Sequence, residues 1–147
     1  FVGLCRAVGV PARDVYGIRV ADSRWGFKSL GKSGNISKAQ HCRAEFYSAE
    51  QGWVPVDPGD VRKVVLEEKP GLTLADPAAQ DAKRRLFGSW EMNWLAYNYA
   101  HDVTLPGSTR GQIGYLMYPQ AETTRGRRES LKPEAFRYEI SSRELAA

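Results

Sequence analysis

His41 and Asp57 stand sixteen positions apart in the stretch HCRAEFYSAEQGWVPVDP, a spacing that can bring an imidazole and a carboxylate together. An imidazole can take a proton from a nucleophile and return it to a leaving group, while a carboxylate on its other nitrogen holds the ring in the working tautomer. The two meet only if the chain between them reverses. Alternating Ala44-Glu45-Phe46-Tyr47, then Ala49-Glu50-Gln51-Gly52, then apolar Trp53-Val54-Pro55-Val56 read as two strands and a turn, with glycine easing the reversal. Side chains alternate along a strand, so His41, Arg43, Glu45 and Tyr47 share one face. With Tyr47 opposite Trp53, Arg43 falls opposite Asp57, and His41 becomes the diagonal neighbour of Asp57 at about 7 Å between Cβ atoms. Val54 and Val56 bury the other face, which leaves Asp57 on the side of His41. The hairpin thus supplies a base and an orienter, but no nucleophile.

The remaining reactive side chains fit less well. His101 sits beside Asp102, but strand neighbours point to opposite faces, so their adjacency makes no dyad. Cys42 directly follows His41 and points away from it for the same reason. Cys5 falls on the apolar stripe of Phe1, Val2, Leu4 and Val8, where a thiol packs as a small core residue. Arg43 can pair with Glu45 or with Asp57, and in the second case it competes with His41. Tyr47 and Trp53 either wall a substrate site or simply staple the hairpin.

Two motifs carry a resemblance to a known family. His-x-x-x-Glu-aromatic-Tyr followed by Gly-Trp-Val-Pro-Val-Asp-Pro, together with the opening FVGLCRAVGVPARDVYGIRV, resembles the transglutaminase-like superfamily of papain-fold cysteine enzymes. The likeness runs from Phe1 to about Val61 and fades beyond. It implies an α+β, papain-like fold with an N-terminal helix packed on an antiparallel β-sheet. It also implies a Cys-His-Asp triad with His41 as base and Asp57 as orienter, a protein or peptide substrate, and neither cofactor nor metal. The superfamily's cysteine lies about two helical turns ahead of the position that Phe1 matches. The resemblance therefore places the nucleophile upstream of this chain, and the segment alone is expected to be inactive. The alternative is a non-catalytic module of the same fold used for binding or assembly.

Composition sets wider bounds. A chain of 147 residues with 42% hydrophobic and 26% charged residues has the length and make-up of one globular domain, here residues 1–147. Two cysteines and two histidines make no disulfide framework and no structural zinc signature. No run approaches the roughly 18 apolar residues of a membrane span. The net charge of +4 is uneven: residues 1–40 carry seven Lys/Arg against two Asp/Glu, residues 41–82 four against eight, and residues 83–147 ten against seven. That is a bipolar surface, and with Trp25 and Phe27 as the only aromatics able to stack bases beside the basic region, nucleic acid is not an expected partner. The chain opens inside an apolar helical run without an initiating Met, so any targeting segment is expected upstream.

The elements that must position the site follow in order. Residues 1–8 read as the end of a buried helix that Gly9 and Pro11 stop. Residues 13–20 read as a strand beside the hairpin, with Arg13 tying the turn to the sheet. The Gly-, Ser- and Lys-rich residues 22–40 lead directly into His41; they read either as a mobile flap presenting Trp25 and Phe27 to substrate or as a solvated basic loop. Asp60 is placed to cap a helix over 61–68, and Asp76-Pro77 to start another reaching about Phe87, with Lys83, Arg84 and Arg85 complementing its dipole. Beyond the core motifs of residues 1–61, residues 88–147 form a strand-rich extension. Residues 90–105 alternate as one strand, 113–118 as its antiparallel partner, and 136–142 as a last strand after a charged loop at Arg125 to Arg128.

Overall fold

The computed structural model describes residues 1–129, 131–132, 134 and 136–145. Its centre is an antiparallel sheet of four strands of unequal length. Strand β1 (Ala12–Arg19) pairs with β3 (Gln40–Ser48) from Ala12↔Phe46 to Ile18↔Gln40, and β3 pairs with β4 (Gly52–Val56) from Ala44↔Val56 to Ser48↔Gly52. The hairpin closes with Tyr47 opposite Trp53, the expected register. Gly52 takes φ +74° at the turn, a conformation in which a β-carbon is strained. Strand β5 (Trp94–Asn98) joins the other edge of β1, giving the order β4-β3-β1-β5.

The two faces of this sheet bury different things. Helix α1 (Val2–Ala7) lays Val2 on Ala12, Ala44 and Val56, with Cys5 and Phe46 packed at the margin. The apolar stripe read from the sequence is therefore only partly covered: Phe1, Leu4 and Val8 are exposed. Helix α2 (Pro58–Glu67) and helix α3 (Pro77–Arg85) follow β4 and pack on each other, and their Val64 and Ala82 form a separate core with Leu30 and Leu86. Asp60 is not the cap of α2. Asp57 is, because Pro58 supplies the preset φ of the first helical position and the Asp57 carboxylate accepts the Asp60 N–H.

Residues 22–40 do not form a free flap. Trp25 and Phe27 pack on the Leu30, Val64, Ala82 and Leu86 cluster, and Leu30 and Ile36 are 1% and 2% exposed. Glu68 accepts both the backbone N–H and the hydroxyl of Ser29, at 2.7 and 2.5 Å. The loop looks polar in composition, but Leu30 and Ile36 are buried, and Trp25 and Phe27 are half-buried against the cluster that α2 and α3 build with Leu30. It contributes a short 3-10 turn (Lys28–Leu30) and strand β2 (Gly34–Asn35).

The C-terminal part divides more finely than expected. Residues 90–105 hold two strands, β5 and β6 (His101–Val103), and β6 carries Asp102, a non-glycine residue with φ +52°. β6 pairs with β7 (Ile113–Tyr115), and the charged run is a hairpin arm: β8 (Gln120–Thr123) pairs with β9 (Gly126–Glu129). The expected last strand shortens to β10 (Ser141–Ser142), which pairs with β2. Among the described residues no helix is long and apolar enough to cross a membrane.

Candidate active site

His41 is the second residue of β3 and stands opposite Gly17 of β1. Asp57 follows the last residue of β4 and opens α2. Their side chains meet on one sheet face, His41 Nε2 to Asp57 Oδ2 at 2.7 Å, with 15% of the imidazole and 1% of the carboxylate exposed. Asp57 also serves two other groups, since Oδ1 accepts the Asp60 N–H at 2.9 Å and Oδ2 faces Arg43 Nε at 3.2 Å. Burial pushes the Asp57 carboxyl up, but the hydrogen bond and charge of His41, the Asp60 N–H and the Arg43 guanidinium outweigh it and hold it below the usual range. An ionised Asp57 requires an N–H on Nε2, which leaves Nδ1 as the ring nitrogen able to take a proton.

A second acid stands behind the first. Asp60 Oδ1 lies 3.3 Å from the same Nε2, and the Arg19 guanidinium bonds that oxygen while its Nε donates to the Leu30 carbonyl at 3.0 Å. Arg43, 2% exposed, donates to the Glu91 carbonyl at 2.8 Å and stacks on Trp94 at 4.8 Å. His41, Asp57 and Asp60 bring ligand atoms within 4.8 Å of one another, close enough to grip a cation. Each carboxylate already carries a guanidinium, and two fixed positive charges at that distance oppose a divalent ion.

Trp94 forms the wall beside His41. Its indole donates to the His41 carbonyl at 3.0 Å, and its ring covers Gly17, where a β-carbon would collide with the indole and with the Leu95 carbonyl oxygen. Glycine at this position is what lets β5 and Trp94 approach. Trp90 meets Trp94 edge to face at 5.3 Å and donates to the Val56 carbonyl at 3.1 Å. Glu91 and Asn93, both buried, tie residues 21–30 to this layer: Glu91 accepts from Ser23 and Arg24, and Asn93 donates to the Ala21 and Leu30 carbonyls.

Sequence reasoning did not place Arg19, Asp60, Glu91, Trp90 or Trp94 here. A glycine inside a strand pattern is a signal of close approach, and Gly17 carried it. Arg19, two residues on and on the same face, was the matching signal for a buried acid.

The structure does not bring the expected substrate aromatics to His41. Tyr47 lies six residues along β3, about 20 Å away at strand rise. It pairs edge to face with Trp53 at 5.6 Å, and Arg13 sits over Trp53 at 4.0 Å while holding Glu45 at 2.6 Å. They staple the hairpin tip. Trp25 and Phe27 are half-buried against the Leu30, Val64, Ala82 and Leu86 cluster. His101 packs against Tyr16, a residue of the opposite sheet face. Cys5 packs at the margin of the α1 cluster and Cys42 is on the face away from His41, where desolvation of its sulfur and the charge of Asp14 push the thiol up. Arg127 donates to the Gly111 carbonyl at 2.7 Å and faces Glu122, so the basic run is partly consumed internally.

With this geometry in hand, comparisons with known proteins give a consistent result. Residues 1–58 match the family model described as the transglutaminase-like superfamily. A protein of Haemophilus influenzae described as uncharacterized is 41% identical over 155 residues, covering 99% of this chain and 42% of that protein. No solved structure matches the chain.

Proposed function

The chain belongs to the transglutaminase-like superfamily, and from that premise we propose that the full-length protein is a thiol-dependent acyltransferase or peptidase. Its triad is a cysteine upstream of Phe1, His41 as base and Asp57 as orienter. The observation that carries this reading is the 2.7 Å contact of His41 Nε2 with a buried carboxylate, which leaves Nδ1 free to serve a thiol. Cys5 and Cys42 lie off the His41 face, which supports a nucleophile from elsewhere in the protein.

In the proposed reaction Nδ1 takes the thiol proton and the thiolate attacks an amide carbonyl of a protein or peptide. The tetrahedral oxyanion collapses as the imidazolium protonates the leaving amine, giving a thioester. An amine or a water then gives its proton to Nδ1 and attacks the thioester, and the thiol is regenerated. Asp57 holds Nε2–H throughout and stabilises each imidazolium.

Turnover of a glutamine-containing peptide by the full-length protein, with an amine acceptor and with water alone, tests this reading. The expected result is activity that iodoacetamide abolishes and that His41→Ala lowers by about a thousandfold or more. Turnover unchanged in His41→Ala overturns the assignment of the base. A folded full-length protein with no thiol-dependent turnover supports a binding module instead.

A further inference from the structure

The triad uses one of the two carboxylates that meet His41. The other, Asp60, is 1% exposed and places Oδ1 3.3 Å from Nε2. It is fixed there, since the buried Arg19 guanidinium bonds the same oxygen and is itself anchored on the Leu30 carbonyl. Capping explains only the backbone of Asp60: its N–H serves Asp57, and most residue types supply that donor. Burying an acid and its arginine is costly, and the pair's attraction does not reliably recover the desolvation. Asp60 Oδ2 moreover has no hydrogen-bond partner among the described residues. A side chain kept under those terms, aimed at the ring nitrogen opposite the reacting one, has a use beyond the helix.

We propose that Asp60, held by Arg19, is a second positioning residue for His41, its carboxylate, beside the Nε2–H that Asp57 accepts, stabilising the imidazolium during acyl transfer. This rests on the reading of His41 as the base. The charged groups facing the ring are Asp57 and Asp60 from the start of α2, Arg19 from β1 and Arg43 from β3, and Arg43 is held in place by the Glu91 backbone carbonyl. Two acids and two guanidiniums balance while the ring is neutral. When the ring gains its proton, the two nearest charges on Nε2 are both negative. Burial and the charge of Asp57 push the Asp60 carboxyl up, against the pull of His41 and Arg19, so Asp60 is the first of the pair to be neutralised by acid.

The experiment follows the His41 ring in the full-length protein by 15N NMR across pH, alongside kcat and KM for a glutamine-containing dipeptide with hydroxylamine. In Asp60→Asn the ring gives up its second proton about one pH unit lower, and kcat falls about tenfold with KM within about twofold. Arg19→Gln reproduces both changes because the unpaired Asp60 takes up a proton, Arg19→Lys restores both, and the double variant Arg19→Gln with Asp60→Asn is no worse than either alone. A ring titration that stays within about 0.2 units in Asp60→Asn, while Asp57→Asn moves it, overturns the proposal and leaves Asp60 a structural ion pair. Should Asp60→Asn not fold, Asp60→Glu carries the test. It keeps the charge and moves the carboxylate, so an unchanged ring titration and unchanged kcat overturn the proposal, and a shift in both supports it. If the His41 reading is the part that is wrong, kcat is indifferent to His41→Ala while the NMR titration still reports on Asp60, so the two failures are told apart.

Discussion

Alternate residues of the same three strands build the two faces of the central sheet, and the faces solve burial in opposite ways. Toward α1, Ala12, Ala44 and Val56 meet Val2 without a polar atom between side chains. On the opposite face, at the start of α2, Arg19, Arg43, Asp57 and Asp60 are buried around a half-buried His41, each answered by an opposite charge or a carbonyl. The apolar face is stabilised by removing surface from water, at about 25 cal/mol per Å². The charged face gains little net stability from its pairs, but it is intolerant of losing one member, because the remaining charge is then buried alone. One face therefore degrades gradually under mutation and the other abruptly, and the proposed chemistry sits on the abrupt one.

The sharpest way to break this contrast is at Asp57. Asp57→Ala strips Arg43 of its counter-charge and α2 of its cap, and is expected to cost about 3–5 kcal/mol in denaturant unfolding and to abolish turnover of the full-length protein. A loss below about 1 kcal/mol would show that Arg43 finds water or Glu91 instead.

Gly17→Ala comes next. The added methyl would run into the Leu95 carbonyl and the Trp94 ring, so β5 must shift, and a loss of about 2–3 kcal/mol is expected with a change in Trp fluorescence. Unaltered fluorescence and stability would mean that Trp94 does not lie over β1.

On the apolar face the expected effect is smaller and confined to stability. Val2→Ala removes two methyl groups from a site 8% exposed and should cost about 1–2 kcal/mol, with kcat below the unfolding range unchanged within about twofold. A tenfold loss of kcat would show that the two faces are not separable.

The smallest effect lies outside the sheet. Glu122 accepts from Ser108 and from the backbone and hydroxyl of Thr109, at 2.6 to 2.9 Å, and these bonds with Arg127 lower its carboxyl to about 2. A depressed acid contributes stability that is present above the ordinary carboxylate range and is lost as pH falls toward 2. Glu122→Gln should therefore remove an acid-dependent step in hydrogen exchange of the β8–β9 ribbon while leaving β1 and β3 protected. An acid step that survives the substitution assigns it to another group, such as Asp57.

How much of this was open to a reader of the sequence depends on how local the determinant is. The period of two, the turn ending at Gly52 and the distance from His41 to Asp57 determine the hairpin register and the shared face, because strand geometry leaves one pairing that buries Val54 and Val56. Helix α3 was equally legible from Asp76-Pro77 and its basic last turn. The tertiary structure alone decided what surrounds His41. Arg19, Asp60, Glu91 and Trp94 come from separate elements with no periodic relation to one another, and buried charge is recognised only once its partner is seen. The loop at residues 22–40 misled for the same reason: Gly, Ser and Lys set its composition, but whether Trp25, Phe27 and Leu30 face water or the core depends on α2 and α3 being there to cover them.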